Sequence, residues 1–280
     1  MDPKKLNSLW KESGFRPCKR FGQNFLIDEN VRDNILRSAQ ISRTDTVVEI
    51  GPGFGMMSFE LGAMCRKLYA VEKDKKICAI MEPFFRAAEN ITLIPGDILE
   101  EDLCAFSDDR EKITVFGNIP YNITTPIIQK IIEAREYVKK AVLLVQNEFA
   151  IRLSALPGSK DYSSISCYVQ YYTKVTRSLK IGKKVFSPNP GVDSCLIRMD
   201  ILSEPSVKVK DEILMFRIIR RAFSQRRKKA LNPLSRDDTF KIKREEWINI
   251  FEKCGLDPGL RAEDISLADY ARLSDVVGAR

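Results

Sequence analysis

From residue 46 to residue 147, short runs of β-branched and apolar residues alternate with segments of helical character. This order restricts the chain more than any other feature. The runs are TVVEI, KLYAVE, ITLI, KITVFGN and AVLLVQ, and the segments 73–88 and 125–136 between them read as helices. Parallel neighbours need crossover connections, so the alternation predicts an α/β fold with a parallel sheet covered on both faces. Between 164 and 200, SISCYVQYYTKVTRSLKI and DSCLIRMDI read as strands without a helix between them, which predicts an antiparallel finish to the sheet. LSEPSVKVK (202–210) is a polar linker with a proline, and 211–230, 245–254 and 266–276 beyond it read as helices, the second ending at Gly255. The expected organisation is a large domain over 1–202 and a small helical domain over 203–280. A chain of 280 residues accommodates both.

The chain contains no histidine. Ser-His-Asp and Cys-His catalysis and every His-ligated metal are excluded in one step, so any reaction here needs little proton shuttling or uses carboxylates, lysines or tyrosines for it. Seven scattered cysteines include no CxxC pair, so neither a zinc site nor a disulfide framework is signalled, and all seven read as reduced thiols. No metal is expected. No apolar run approaches the ~20 residues that span a bilayer. The first 20 residues lack the apolar core of a signal peptide, and Asp2 and Glu12 oppose a targeting arm, so a cytoplasmic location is expected. The net charge of +8 favours a polyanionic partner.

VVEIGPGFG (47–55) runs a strand into a glycine-rich turn. Glycines at 51, 53 and 55 let the backbone turn tightly and approach a ligand closely. Alone, this pattern fits many nucleotides and also a bare tight turn. The second strand ends at Glu72, 21 residues after Gly51, where a carboxylate can accept both ribose hydroxyls. The third strand runs into Asp97, placed to accept from an adenine amine, although a turn aspartate that caps the next segment reads the same way. GPGFG is shorter than G-x-G-x-x-G and suits a cofactor without a pyrophosphate. Short turn, ribose acceptor and adenine acceptor on successive strand ends describe S-adenosylmethionine better than NAD, on a Rossmann-like sheet of the class I methyltransferase type.

The fourth strand ends in GNIPYN (117–122). An aromatic exocyclic amine is a poor nucleophile because its lone pair is delocalised into the ring. Methylating it requires drawing the nitrogen toward pyramidal geometry. The Asn118 side-chain oxygen can accept one amino hydrogen, and the carbonyl of Ile119 or Pro120 another, with Pro120 fixing the turn. Tyr121 offers a ring face for stacking. No histidine is needed, so the predicted substrate group is an adenine amine.

The chain resembles the KsgA-type rRNA adenine dimethyltransferases over nearly its whole length, in RFGQNFLID (20–28), EIGPGFG, VEKD, GDIL and GNIPYNITTPI, and further in VFSPNPGVDS (185–194), RRAFSQRRKKALN (220–232) and RAEDIS (261–266). The resemblance implies N6,N6-dimethylation of two adjacent adenosines near the 3′ end of small-subunit rRNA, within a 30S-type assembly intermediate, by an enzyme expected to be monomeric. It implies that an N-terminal arm, residues 1–30, folds over the cofactor, with Asn24 and Leu26 as contacts beside Gly51, Gly53, Glu72, Asp97 and Asn118. Phe186 matches an aromatic packed on the target base opposite the tyrosine, although ordinary core packing is its alternative. Tyr162-Ser163 stands where Tyr-Gly is frequent, and Met56-Met57 where a small residue and leucine are usual. An erythromycin-resistance methyltransferase acting on large-subunit rRNA and a non-catalytic RNA-binding assembly factor remain alternatives.

Residues 216–229 hold seven Lys or Arg and no acid. Phe216, Ile219 and Phe223 predict an apolar stripe that docks this helix. Arg217, Arg220, Arg221, Arg226, Arg227 and Lys228 then form a basic face for RNA phosphates, the alternative being a solvated charged surface.

Overall fold

The computed structural model describes residues 13–107 and 111–280. The first twelve residues of the expected arm, with Asp2 and Glu12, lie outside the described residues. The chain divides into two compact units, one of Met1–Ala150 and Thr176–Ile201, the other of Ile151–Val175 and Leu202–Arg280.

In chain order the elements to the end of the main sheet are β1 (Phe25–Leu26), α1 (Glu29–Ala39), β2 (Thr46–Ile50), α2 (Ser58–Met64), β3 (Lys67–Glu72), α3 (Lys75–Arg86), β4 (Ile91–Pro95), β5 (Ile113–Asn118), α4 (Thr124–Glu133), β6 (Val138–Gln146), α5 (Asn147–Leu153), α6 (Ser164–Tyr172), β7 (Thr173–Ile181), β8 (Phe186–Ser187) and β9 (Ser194–Ile201). Seven of these strands form one sheet in the order β4-β3-β2-β5-β6-β9-β7, and β1 pairs with β8 in a small antiparallel ribbon. Strand β2 is parallel to both β3 and β5 and buried along its whole length. Burial on both faces is what its nearly unbroken apolar run requires. The chain builds outward through β3 and β4, then returns to the other side of β2 as β5. Strand order therefore reverses between β2 and β5, where open α/β sheets bind their ligands at the carboxyl ends. Gly117 lets the two strand tips lie close, since a Cβ there would sit 2.9 Å from the Ile50 carbonyl oxygen. The antiparallel finish is present, as β9 pairs antiparallel with β6 from Lys140↔Asp200 to Gln146↔Ser194.

SISCYVQYY is not a strand but helix α6. Its tyrosines suggest β structure, yet the buried residues Cys167 and Tyr171, and Val169 and Tyr172, recur at helical spacings of four and three. Ser163 starts the helix: its N–H donates to the Ser166 hydroxyl at 3.0 Å, and the two hydroxyls share a second bond of 3.0 Å. The departure from Tyr-Gly thus places at the helix start a hydroxyl that bonds Ser166. The chain also enters the second unit twice, whereas a single cut at 202/203 allows one crossing. Residues 151–175 pack with the C-terminal segment, the Leu202 and Ser206 amides donating to the carbonyls of Tyr172 (2.9 Å) and Tyr171 (2.8 Å).

The second unit continues with α7 (Glu212–Ala222), α8 (Leu231–Ser235), α9 (Arg244–Lys253) and α10 (Leu267–Gly278). The buried face of α7 is Met215, Ile218, Ile219 and Ala222 rather than the stripe expected through Phe216 and Phe223. Those two rings flank it, Phe216 against Tyr168, Tyr171 and Tyr172, and Phe223 against Tyr162 and Tyr270. The helix expected to run to residue 230 stops at Ala222, followed by a 3₁₀ turn over Phe223–Gln225. The Ser224 hydroxyl bonds the Arg221 carbonyl at 2.7 Å, and the four successive cations Arg226–Lys229 would repel within one helical turn.

Candidate active site

One cavity opens at the carboxyl ends of β2, β3, β4 and β5, and all ten predicted catalytic and cofactor residues line it. The glycine turn forms one wall, with Gly51, Gly53 and Gly55 at φ of +67°, +57° and +77°. A Cβ on Gly51 would meet nothing within 4 Å, so the turn presents bare backbone to the space a ligand would fill. At Gly53 a Cβ would collide with the Phe25 ring at 2.9 Å. Met56 and Met57, the departures in this turn, also line the cavity.

Glu72 holds the turn in place. One carboxylate oxygen accepts the Gly53 N–H at 3.1 Å and the other the Asp74 N–H at 2.8 Å. It is buried rather than a solvated charge, and burial raises its pKa against the lowering effect of those two bonds. Each oxygen keeps a lone pair for a ribose hydroxyl. Asp97 makes the cap that was its alternative reading. One oxygen caps the Leu99 N–H at 3.1 Å, and the other is bonded by the Lys73 ammonium. Burial works to raise the Asp97 pKa, but Lys73, the Leu99 N–H and the Lys130 charge outweigh it and hold the carboxyl below its ordinary value. Lys73 is a cavity residue that the sequence analysis did not single out; its position directly after the ribose acid was the available signal.

The described part of the arm is pinned to both strand ends. The Gln23 amide donates to Asp74 at 2.9 Å, while its oxygen accepts the Cys18 N–H at 2.7 Å. The Asn118 side-chain nitrogen donates to the Asn24 carbonyl at 2.8 Å, which fixes the amide and leaves its oxygen as the acceptor. Leu26 is buried against Phe186 through the β1–β8 pairing. In the catalytic turn the Pro120 carbonyl already accepts the Ile123 N–H at 3.1 Å and the Thr124 hydroxyl at 3.3 Å. Among the described residues no donor reaches the Ile119 carbonyl, so of the two candidate second acceptors it is the available one. The Tyr121 hydroxyl bonds the Ser194 hydroxyl at 2.9 Å, and burial raises its pKa. Phe186 is 2 % exposed and belongs to the main core while forming a cavity wall.

Glu49, an acid in a fully buried strand, also lines the cavity. One of its carboxylate oxygens has no hydrogen-bond partner. Burial pushes its pKa up to about 8 against the lowering effect of the neighbouring Ser58 hydroxyl, with the Glu72 charge acting in the same direction as burial. In the unfolded chain it titrates near 4.5, so the folded state binds the extra proton between these values. Stability contributed by protonated Glu49 is therefore lost as pH rises toward 8. Glu49→Gln is expected to raise Tm at pH 8.5 by several degrees, on the order of 5 °C, with the gain vanishing toward pH 4.5. Thermal melts across this range test it; a pH-independent difference would mean that Glu49 is ionised throughout.

The six basic residues expected to meet RNA lie in the second unit and are not alike. Arg217 stacks on the Phe240 ring at 4.2 Å and bonds the Thr239 carbonyl. Arg221 donates to the Pro233 carbonyl at 2.8 Å and pairs with Asp237 at 3.2 Å. Arg226 pairs with Glu263 at 3.4 Å. Arg220, Arg227 and Lys228 are exposed with no side-chain partner among the described residues.

Residues 14–277 match the family model described as ribosomal RNA adenine dimethylase. The chain belongs to this family. A curated relative from Clostridium botulinum (strain Loch Maree / Type A3), named ribosomal RNA small subunit methyltransferase A, is 38% identical over 263 residues, covering 94% of each chain. One of the same name from Macrococcus caseolyticus is 38% identical over 278 residues, covering 98% of this chain and 94% of the relative. The fold is shared with a dimethyladenosine transferase from Plasmodium falciparum (TM-score 0.75, 23% identity, 89% of this chain and 95% of that one). It is shared also with the 23S rRNA methyltransferase ErmE (TM-score 0.70, 21% identity, 91% and 100%). As an rRNA adenine dimethylase, this chain is an S-adenosylmethionine-dependent enzyme with the class I methyltransferase sheet. The open backbone face at Gly51 and the acids Glu72 and Asp97 fit that cofactor, which when bound supplies an electrophilic methyl on a sulfonium.

Proposed function

We propose that the chain dimethylates N6 of two adjacent adenosines near the 3′ end of small-subunit rRNA, acting as a cytoplasmic monomer on an assembly intermediate of the small subunit. The observation that carries this reading is the Asn118 amide, held by the Asn24 carbonyl with its oxygen left to accept. The Asn118 oxygen and the Ile119 carbonyl each take one hydrogen of the target amine and draw the nitrogen lone pair toward the methyl. Once one hydrogen is replaced by methyl, a single acceptor remains necessary, so the same pair serves both transfers. Tyr121, clamped through Ser194, and Phe186 bound the base, and Glu72 and Asp97 hold the ribose and adenine of the cofactor. The relatives' small-subunit name supports the choice of RNA. Residues 203–280 act as an RNA-binding domain, chiefly through Arg220, Arg227 and Lys228, whose side chains have no protein partner among the described residues. No helix among the described residues is long and apolar enough to cross a membrane.

The test is methyl transfer from labelled S-adenosylmethionine to small subunits lacking the marks, with large subunits in parallel and mass spectrometry of the digested RNA. Dimethyladenosine at two adjacent small-subunit positions is expected. Label confined to a large-subunit adenine would overturn the substrate assignment.

A further inference from the structure

The stretch from Lys174 to Lys184, KVTRSLKIGKK, carries five Lys or Arg and no acid. It lies far in sequence from the basic run at 217–229. From Thr176 onward it belongs to the first unit, the one that holds the active-site cavity. Its strand, β7, is one of the two edge strands of the seven-stranded sheet. Arg177, Lys180, Lys183 and Lys184 are all exposed, and the chain passes directly from them to Phe186 on the cavity wall. The last residues of this path are fixed, because the Val185 carbonyl accepts the Ile27 N–H at 2.9 Å and Phe186 pairs with Leu26. Exposed Arg20 lines the same cavity from the arm.

Among the described residues, Asp193 is the acid that pairs with this row. It pairs with Lys180 at 3.3 Å and accepts the Lys183 N–H at 3.2 Å. The Lys183 ammonium reaches only the Gly191 carbonyl, at 3.5 Å, and Arg177 and Lys184 have no side-chain partner among the described residues. Edge strands often carry charge to prevent pairing with other chains. That purpose is met by one or two charges of either sign. It does not call for a row of one sign that continues past the strand, through Gly182, to the cavity.

We propose that Arg177, Lys183 and Lys184 form a second RNA contact, a rail along the β7 edge that binds the phosphates of the nucleotides flanking the target adenine. The inference rests on the reading above that the cavity accepts an adenine of rRNA. A base turned into the cavity leaves its own backbone at the mouth, and the strand leading away from it needs cations on the same unit. The rail supplies no base contact, so it positions the strand and leaves the choice of adenine to the cavity.

The experiment compares the wild-type enzyme with Arg177→Gln/Lys183→Gln/Lys184→Gln, using unmethylated small subunits as substrate. All three side chains are exposed, and an unchanged Tm and cofactor affinity confirm that the variant is intact. The expected result is a KM for the RNA substrate raised about 10-fold or more, with kcat unchanged. The slope of log affinity against log salt should fall by about 2, from roughly 0.7 per single-strand phosphate contact. Arg177→Lys/Lys183→Arg/Lys184→Arg should restore both. An unchanged KM and salt slope would overturn the rail and return these charges to edge protection. Absence of methyl transfer by the wild type itself would instead sink the reading of the site, so the two failures are distinguishable.

Discussion

Asn118→Ala is expected to lower kcat by about 10²–10³-fold or more, the usual consequence of removing one hydrogen-bonding group that acts on the reacting centre. The lone pair of an adenine amine is available only when its hydrogens are held out of the ring plane, and the role proposed for Asn118 is to accept one of them. The amide also anchors the arm through the Asn24 carbonyl, at 2.8 Å. Cofactor affinity should therefore weaken modestly, by less than about 10-fold, as for one neutral hydrogen bond. Single-turnover rates at saturating cofactor separate the two effects. A near-normal rate would remove Asn118 from the chemistry and leave it as an anchor of the arm.

Glu72→Ala is expected to weaken cofactor binding by on the order of 10²-fold or more, because each hydrogen bond to a charged acceptor contributes about 1.5–3 kcal/mol and two ribose hydroxyls are lost. The variant also leaves the Gly53 and Asp74 amides without their acceptor, so the glycine turn loosens and Tm falls. Glu72→Gln retains one acceptor oxygen and should lie between wild type and Ala in both measurements. Calorimetric titration of the cofactor against each variant decides the matter. Equal affinities in all three would confine Glu72 to a structural pin on the turn.

These expectations depend on residues that differ in how far the sequence exposed them. Glu72 and Asn118 were legible because a strand end is marked in sequence by where the apolar run stops, and ligands of parallel sheets gather at such ends. Lys73 and Glu49 were not, for opposite reasons. Lys73 sits in a run of charges that reads as solvated, and only its bond to Asp97 separates it from Lys75 and Lys76. Glu49 lies inside a strand that reads as core, and nothing local shows that its carboxylate reaches a cavity. The strand assigned to 164–172 failed because tyrosine and valine favour strands intrinsically, while the packing of α6 is set by which of them meet the C-terminal helices. The basic run after Ala222 misled in the same way, since helix propensity carries no information about where four cations stop tolerating one another.

The sequence by itself determined the order of strands and helices, the glycine turn, the acids at successive strand ends and the Asn-Ile-Pro-Tyr turn, and with them the cofactor and the kind of nitrogen to be methylated. All of these are local: periodicity, turn chemistry and residue type are fixed within a few neighbours along the chain. The tertiary structure alone decided that residues 151–175 join the second unit, that Gln23 and Asn24 tie the arm to Asp74 and Asn118, and that Pro120 has its carbonyl occupied while Ile119 does not. It also decided which of the basic residues lack a side-chain partner among the described residues. Those outcomes depend on pairings between residues as many as 94 positions apart, and a hydrogen bond across such a distance leaves no periodic trace in the chain.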